Sequence, residues 1–130
     1  CSMQHGQRLT DEPRALLRNA GFTVLDVPEG HICCGSAGVY NILQPAIASE
    51  LGARKAGNVE STRADVIAAG NLGCMTQIGA YTHLPIVHTV ELLDWAHGGP
   101  VPRGLERFEG FATDVPEDGR MAQFIQPRGL

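Results

Sequence analysis

Asp65 is followed by four apolar residues, Val66-Ile67-Ala68-Ala69, which close on Gly70. This run constrains the fold more than any other stretch. It is too short for a helix and lacks the polar alternation of a half-solvated strand, so it predicts a strand buried on both faces of a parallel sheet. Parallel neighbours need crossover connections, normally helices, on either side of the run.

The flanking sequence supplies them. Thr10, Asp11, Glu12 and Pro13 precede residues 14–20, which stop at Gly21; a capping residue, an acidic first turn and a glycine stop predict a helix with Thr10 at its cap. Phe22, Val24, Leu25 and Val27 then change the period to that of a strand, closed by Pro28, Glu29 and Gly30. From Tyr40 to about Arg63 the apolar residues Leu43, Ile47, Leu51 and Val59 recur at fourfold spacing, with Glu50, Arg54, Lys55 and Glu60 between them. That pattern predicts one amphipathic helix with the charges on its polar face and Pro45 in its first turn. Asn71 to Gly73 reads as a polar turn, and residues 77–82 as a short helix. Residues 84–88 predict a further strand, and Thr89 opens a helix that carries Leu92, Leu93 and Trp95 and ends at Gly98, Gly99 and Pro100.

The expected fold is α/β: three layers, with a mainly parallel sheet and flanking helices over residues 1–98. Residues 99–130, rich in Gly, Pro and charge, read as a tail or docking arm in which Phe108, Phe111, Phe124 and Ile125 are the scattered apolar residues. A chain of 130 residues suits one such domain.

In sheets of this kind ligands gather beyond the carboxyl ends of the strands. Two of those ends lead into cysteines: the segment after residues 22–27 carries Cys33 and Cys34, and the segment after residues 65–69 carries Cys74. With Cys1 these are the four cysteines of the chain. Zinc ribbons use pairs two residues apart, so the vicinal pair does not fit that pattern. In an extended strand Cys33 and Cys34 would face opposite ways, and sharing one site requires the turn that Gly35, Ser36, Ala37 and Gly38 provide. A helix start just beyond each cysteine segment favours thiolate charge.

Composition excludes several classes. Ten Lys and Arg stand against 14 Asp and Glu, a formal charge of -4, which leaves no basic stripe for nucleic acid. The longest apolar stretches, residues 64–70 and 84–90, fall short of a bilayer span, so no transmembrane segment is expected. No phosphate-binding fingerprint follows Gly35 and Gly38, and no serine, histidine and acid set emerges. The chain opens on Cys1 without an initiator methionine and reads as part of a longer protein.

Cys1, Cys33-Cys34-Gly35 and Cys74, in that order and spacing, resemble the CCG cysteine-rich domain found in heterodisulfide reductase and in the iron-sulfur subunit of glycolate oxidase. Residues 33–45 (CCGSAGVYNILQP), 53–58 (ARKAGN), 70–78 (GNLGCMTQI) and 85–94 (PIVHTVELLD) extend the likeness, which is closest to the glycolate oxidase protein. The family pattern ends in two cysteines separated by two residues, and here Gln77 stands at the last of them.

The resemblance implies a Rossmann-like domain of an electron-transfer subunit, not active alone. It would pass electrons from flavin-containing oxidase subunits toward a respiratory acceptor, in the cytoplasm or peripheral at the inner face of the cell membrane. Cys1, Cys33, Cys34 and Cys74 would then ligate an iron-sulfur cluster of the 4Fe-4S type. Three other readings stand beside it. A zinc site completed by His31 or His5, or no metal at all, would make the domain a scaffold that docks through exposed aliphatic helix faces. A thiol-disulfide enzyme would use the vicinal pair. Asn71 and Gln77 flank Cys74 and are candidates for hydrogen bonds to sulfur, whereas His88 reads as a capping residue.

Overall fold

The computed structural model describes residues 3, 6–108 and 123–125. Cys1 and His5 lie outside the described residues. Helix α1 (Glu12–Asn19) leads to β1 (Thr23–Leu25), α2 (Tyr40–Leu43), α3 (Pro45–Glu60), β2 (Val66–Ala69), α4 (Leu72–Gly79), β3 (Ile86–His88) and α5 (Thr89–Ala96). A short 3-10 turn at Glu106–Phe108 and the strand β4 (Gln123–Ile125) follow. The sheet runs β1-β4-β2-β3, and every pairing is parallel. Its fourth strand comes from the 99–130 segment and pairs on both sides, Val24 with Phe124 and Val66 with Phe124.

All four residues of β2 are buried, and successive side chains point to opposite faces, as the pleat requires. Ile67 and Ala69 join Val27, Cys34, Val59, Ala64, Cys74 and Ile78 in one core cluster. Val66 and Ala68 join Leu17, Phe22, Val87, Leu92, Trp95 and Leu105 in another. The first draws on α3 and α4, the second on α1 and α5, so both faces of the parallel sheet are covered.

Three local expectations need correction. The N-cap position of α1 is Asp11, not Thr10, and it makes no side-chain capping bond. The Asp11 carboxylate lies 3.6 Å from buried Arg14, whose guanidinium reaches Asp26 at 2.8 Å. The helix expected from Tyr40 is broken at Gln44, whose φ of -131° and ψ of 59° are not helical, because the ring of Pro45 disfavours the helical region for the residue before it. Helix α4 begins at Leu72 rather than near Gln77: the Asn71 side chain accepts the Cys74 N–H at 3.1 Å and turns the expected polar loop into a first helical turn.

The buried face of α3 also differs from the periodic one. Ala48, Gly52, Lys55, Ala56 and Val59 face inward, whereas Leu43 and Ile47 are exposed. Small residues at fourfold spacing let α3 approach its neighbours closely, and that packing outweighs the larger residues' hydrophobicity.

Candidate functional site

The cysteine site lies where the segment after β1 meets the start of α4. Gly35 makes the turn out of the vicinal pair with a φ of +92°, a conformation that a side chain disfavours. A Cβ at this position would stand 2.5 Å from the Ala48 carbonyl oxygen and 2.9 Å from its Cα. The loop is therefore pressed directly on the α3 backbone. One residue on, Ser36 packs on α4: a Cβ on Gly73 would come 2.8 Å from Ser36 Oγ. This wedge between two helices carries Cys34 to Cys74, the third residue of α4.

Cys34 is 0% exposed and Cys74 6%, while Cys33 is partly exposed. Cys34 and Cys74 pack in one core cluster, where the Cys74 thiol can serve as a donor to a Cys34 thiolate. The Gly35 N–H donates to Cys33 Sγ at 3.3 Å. Cys34 and Cys74 thus meet in one core cluster at the ends of two strand-to-helix connections, with partly exposed Cys33 next to Cys34 in the chain. The Cys34 thiol is lowered to about 6, first by the Cys74 hydrogen bond, with burial opposing. The same bond pushes the Cys74 thiol up, since giving away its proton would break it and set two anions side by side. The pair gives up one proton readily and holds the other.

A buried cation lies within electrostatic reach of these cysteines. Lys55 is 1% exposed, and its Nζ donates to the backbone oxygens of Glu29 at 3.3 Å and Gly30 at 3.1 Å. Burial pulls its pKa down, while negative charge at Cys34, Cys33, Cys74 and Glu29 acts the other way. Glu29 itself has a φ of +52°. Its carboxylate accepts from Arg54 Nε at 2.8 Å and Asn58 Nδ2 at 2.9 Å, with a second bond from the Arg54 guanidinium. Those donors hold its carboxyl down to about 2, Arg54 first and Asn58 next. Three α3 side chains, Arg54, Lys55 and Asn58, so anchor the turn that leads into Cys33.

The other residues singled out from sequence take simpler places. Asn71 caps α4. Gln77 donates to the Ala48 carbonyl at 3.2 Å and accepts from Asn41 Nδ2 at 3.3 Å, tying α4 to α3 and α2. His31 is exposed. His88 is the N-cap of α5: its Nδ1 accepts the Val90 N–H at 3.2 Å, and Glu91 accepts the His88 N–H at 3.0 Å. Lys55 was expected on a solvated face. The signal that locates it is the small-residue stripe Ala48, Gly52, Ala56, which marks the inward face and includes position 55.

Among the described residues, no group of three or more His, Cys, Asp and Glu side chains is arranged to hold a metal ion. By the chemistry of their side chains, Cys33, Cys34 and Cys74, one of them easily ionised, are donors of the kind an anionic metal-sulfur group takes.

Comparison with known proteins agrees with these features. The family model described as "Cysteine-rich domain", CCG, matches residues 1–79. The glycolate oxidase iron-sulfur subunit of Escherichia coli (strain K12) is 36% identical over 96 residues, covering 74% of this chain and 24% of the relative. Lactate utilization protein A of Oceanobacillus iheyensis is 28% identical over 107 residues, 78% of this chain and 44% of the relative. The probable glycolate oxidase iron-sulfur subunit of Bacillus subtilis (strain 168) is 30% identical over 106 residues, 75% and 24%. The chain thus spans less than half the length of each of these relatives. No solved structure matches it.

Proposed function

Because this chain belongs to the CCG cysteine-rich domain family, we propose that it is one domain of an iron-sulfur oxidoreductase subunit of the glycolate oxidase type. The observation that carries this reading is the packing of Cys34 with Cys74 in one core cluster, with Cys33 next in the chain and the buried Lys55 within electrostatic reach. In the proposal these three and Cys1 hold a four-iron cluster, which supplies one-electron transfer when bound. The chain's own residues prepare the site. Cys34 ionises early, the Asn71 side chain fixes the α4 turn that presents Cys74, and Gly35 lets the vicinal pair turn inward. Gln77, at the position of the family's last cysteine, bonds to Ala48 and Asn41, and four thiolates suffice for a simple cluster.

The two cores on opposite faces of the sheet support a three-layer, Rossmann-like arrangement. The proposed partners are flavin-containing oxidase subunits of the same complex, which would deliver electrons to this domain for a respiratory acceptor. Exposed Val39, Ile42, Leu43, Ile47 and Leu72 on and beside α2 and the starts of α3 and α4 give such a contact apolar area. The proposed location is cytoplasmic, peripheral at the inner membrane face. Among the described residues, no helix is long and apolar enough to cross a membrane.

The Cys34–Cys74 pair, with its single easily lost proton, favours a second reading, a thiol-disulfide oxidoreductase. Anaerobic reconstitution of the wild type and of Cys34→Ser, followed by visible absorption and electron paramagnetic resonance, separates the two. Cluster signals in the wild type that vanish in Cys34→Ser support the cluster. Absent signals together with rapid thiol exchange support the second reading.

A further inference from the structure

We propose that Lys55 is a positioning residue of the cysteine site, whose ammonium clamps the Glu29–Gly30 backbone and thereby sets the path of the chain into Cys33 and Cys34. This deepens the cluster reading and rests on it for the electrostatic part alone. Among the described residues, Lys55 is the largest fully buried side chain. Burying an ammonium is costly unless its hydrogens and charge are both compensated. Two of its donors go to Glu29 and Gly30, three or four residues before Cys33. The neighbouring α3 residues Arg54 and Asn58 hold the Glu29 side chain from the solvent side, so Lys55 is the interior half of a two-sided grip. An ordinary helix core would have used a methionine or leucine here at no desolvation cost. Backbone carbonyls and an anionic sulfur group are what a buried ammonium fits and an apolar chain does not.

Negative charge at Cys34, Cys33 and Cys74 acts on Lys55, so the same ammonium would in turn act on an anion held by these cysteines. A cluster ligated by four thiolates is anionic, and a fixed cation beside it favours the reduced form. Removing the charge should therefore move the midpoint potential to more negative values.

The test compares wild type with Lys55→Met, which keeps the length and loses charge and donors, and with Lys55→Arg, which keeps both. Amide hydrogen exchange of the full chain reports on the clamp. In Lys55→Met the amides of residues 29–35 should exchange about tenfold faster or more, with those of β2 and β3 unchanged, and Lys55→Arg should recover part of the protection. After anaerobic reconstitution Lys55→Met should retain about threefold less iron, and what remains should titrate at a lower potential. Exchange within about twofold of wild type at residues 29–35 would overturn the proposal. If Lys55→Met does not fold, Lys55→Gln takes its place; loss of the fold in both would assign Lys55 to general core stability and would also overturn it. Should the wild type take up no iron, the cluster reading fails while the exchange comparison still decides the clamp.

Discussion

Gly35 and the Cys34–Cys74 pair concentrate the chemistry at single positions. Gly35→Val meets two obstacles at once, a left-handed φ and a Cβ inside the contact distance of the Ala48 carbonyl. The loss expected is about 3 kcal/mol or more, read as a lower midpoint in thermal or denaturant unfolding. A midpoint equal to wild type would show that the loop does not press on α3. For the pair, thiolate absorbance should rise with a midpoint near 6 for one sulfur, while the second resists ionisation. Cys74→Ala removes the donor and should move the Cys34 midpoint up toward the ordinary thiol value. Folding lowers the Cys34 pKa, so its contribution to stability is present at alkaline pH and lost as pH falls through about 6. Cys74 is raised, so it opposes folding once pH climbs past the unfolded thiol value. Gln77→Cys offers a further thiol one turn beyond Cys74, and iron retention should increase if ligand number limits uptake.

Among the elements, α4 decides whether Cys74 faces the site. Asn71→Ala removes the bond to the Cys74 N–H and should cost about 1 kcal/mol, measurable by denaturant unfolding. No change would mean that the first turn is held by packing alone. The strands β1, β2 and β3 and the helix α5 were legible in the sequence because short apolar runs mark the strands, and Leu92, Leu93 and Trp95 before the Gly98-Gly99-Pro100 stop mark the helix. The start of α4 was not, since Asn71 serves a turn and a cap equally well, and only the bond to Cys74 tells them apart. The face of α3 was misread for a different reason. Leu43 and Ile47 carry the stronger periodic signal, yet close approach to Gly35 and the α4 side selects Ala48 and Gly52. Lys55 became invisible with it, because a lysine is read as solvated unless a buried partner is known.

At the scale of the whole molecule, the chain closes its sheet late. β4 lies between β1 and β2, although its segment carries few apolar residues, and pairing over such sequence separation leaves no local trace. A chain ending after Phe108 loses that strand and with it the parallel pairing on both sides. It should unfold at markedly lower denaturant than the full chain, or fail to fold, and equal midpoints would show that β4 does not stabilise the sheet. The fold in turn brings together two separate strand-to-helix connections, one with Cys33 and Cys34 and one with Cys74, so that Cys34 and Cys74 pack in one core cluster, and the function proposed rests on that meeting. Iron and acid-labile sulfide per chain, measured on protein purified and reconstituted without oxygen, test it most directly. About four of each are expected, lost together in Cys34→Ser; zinc alone, or no metal, would overturn the cluster.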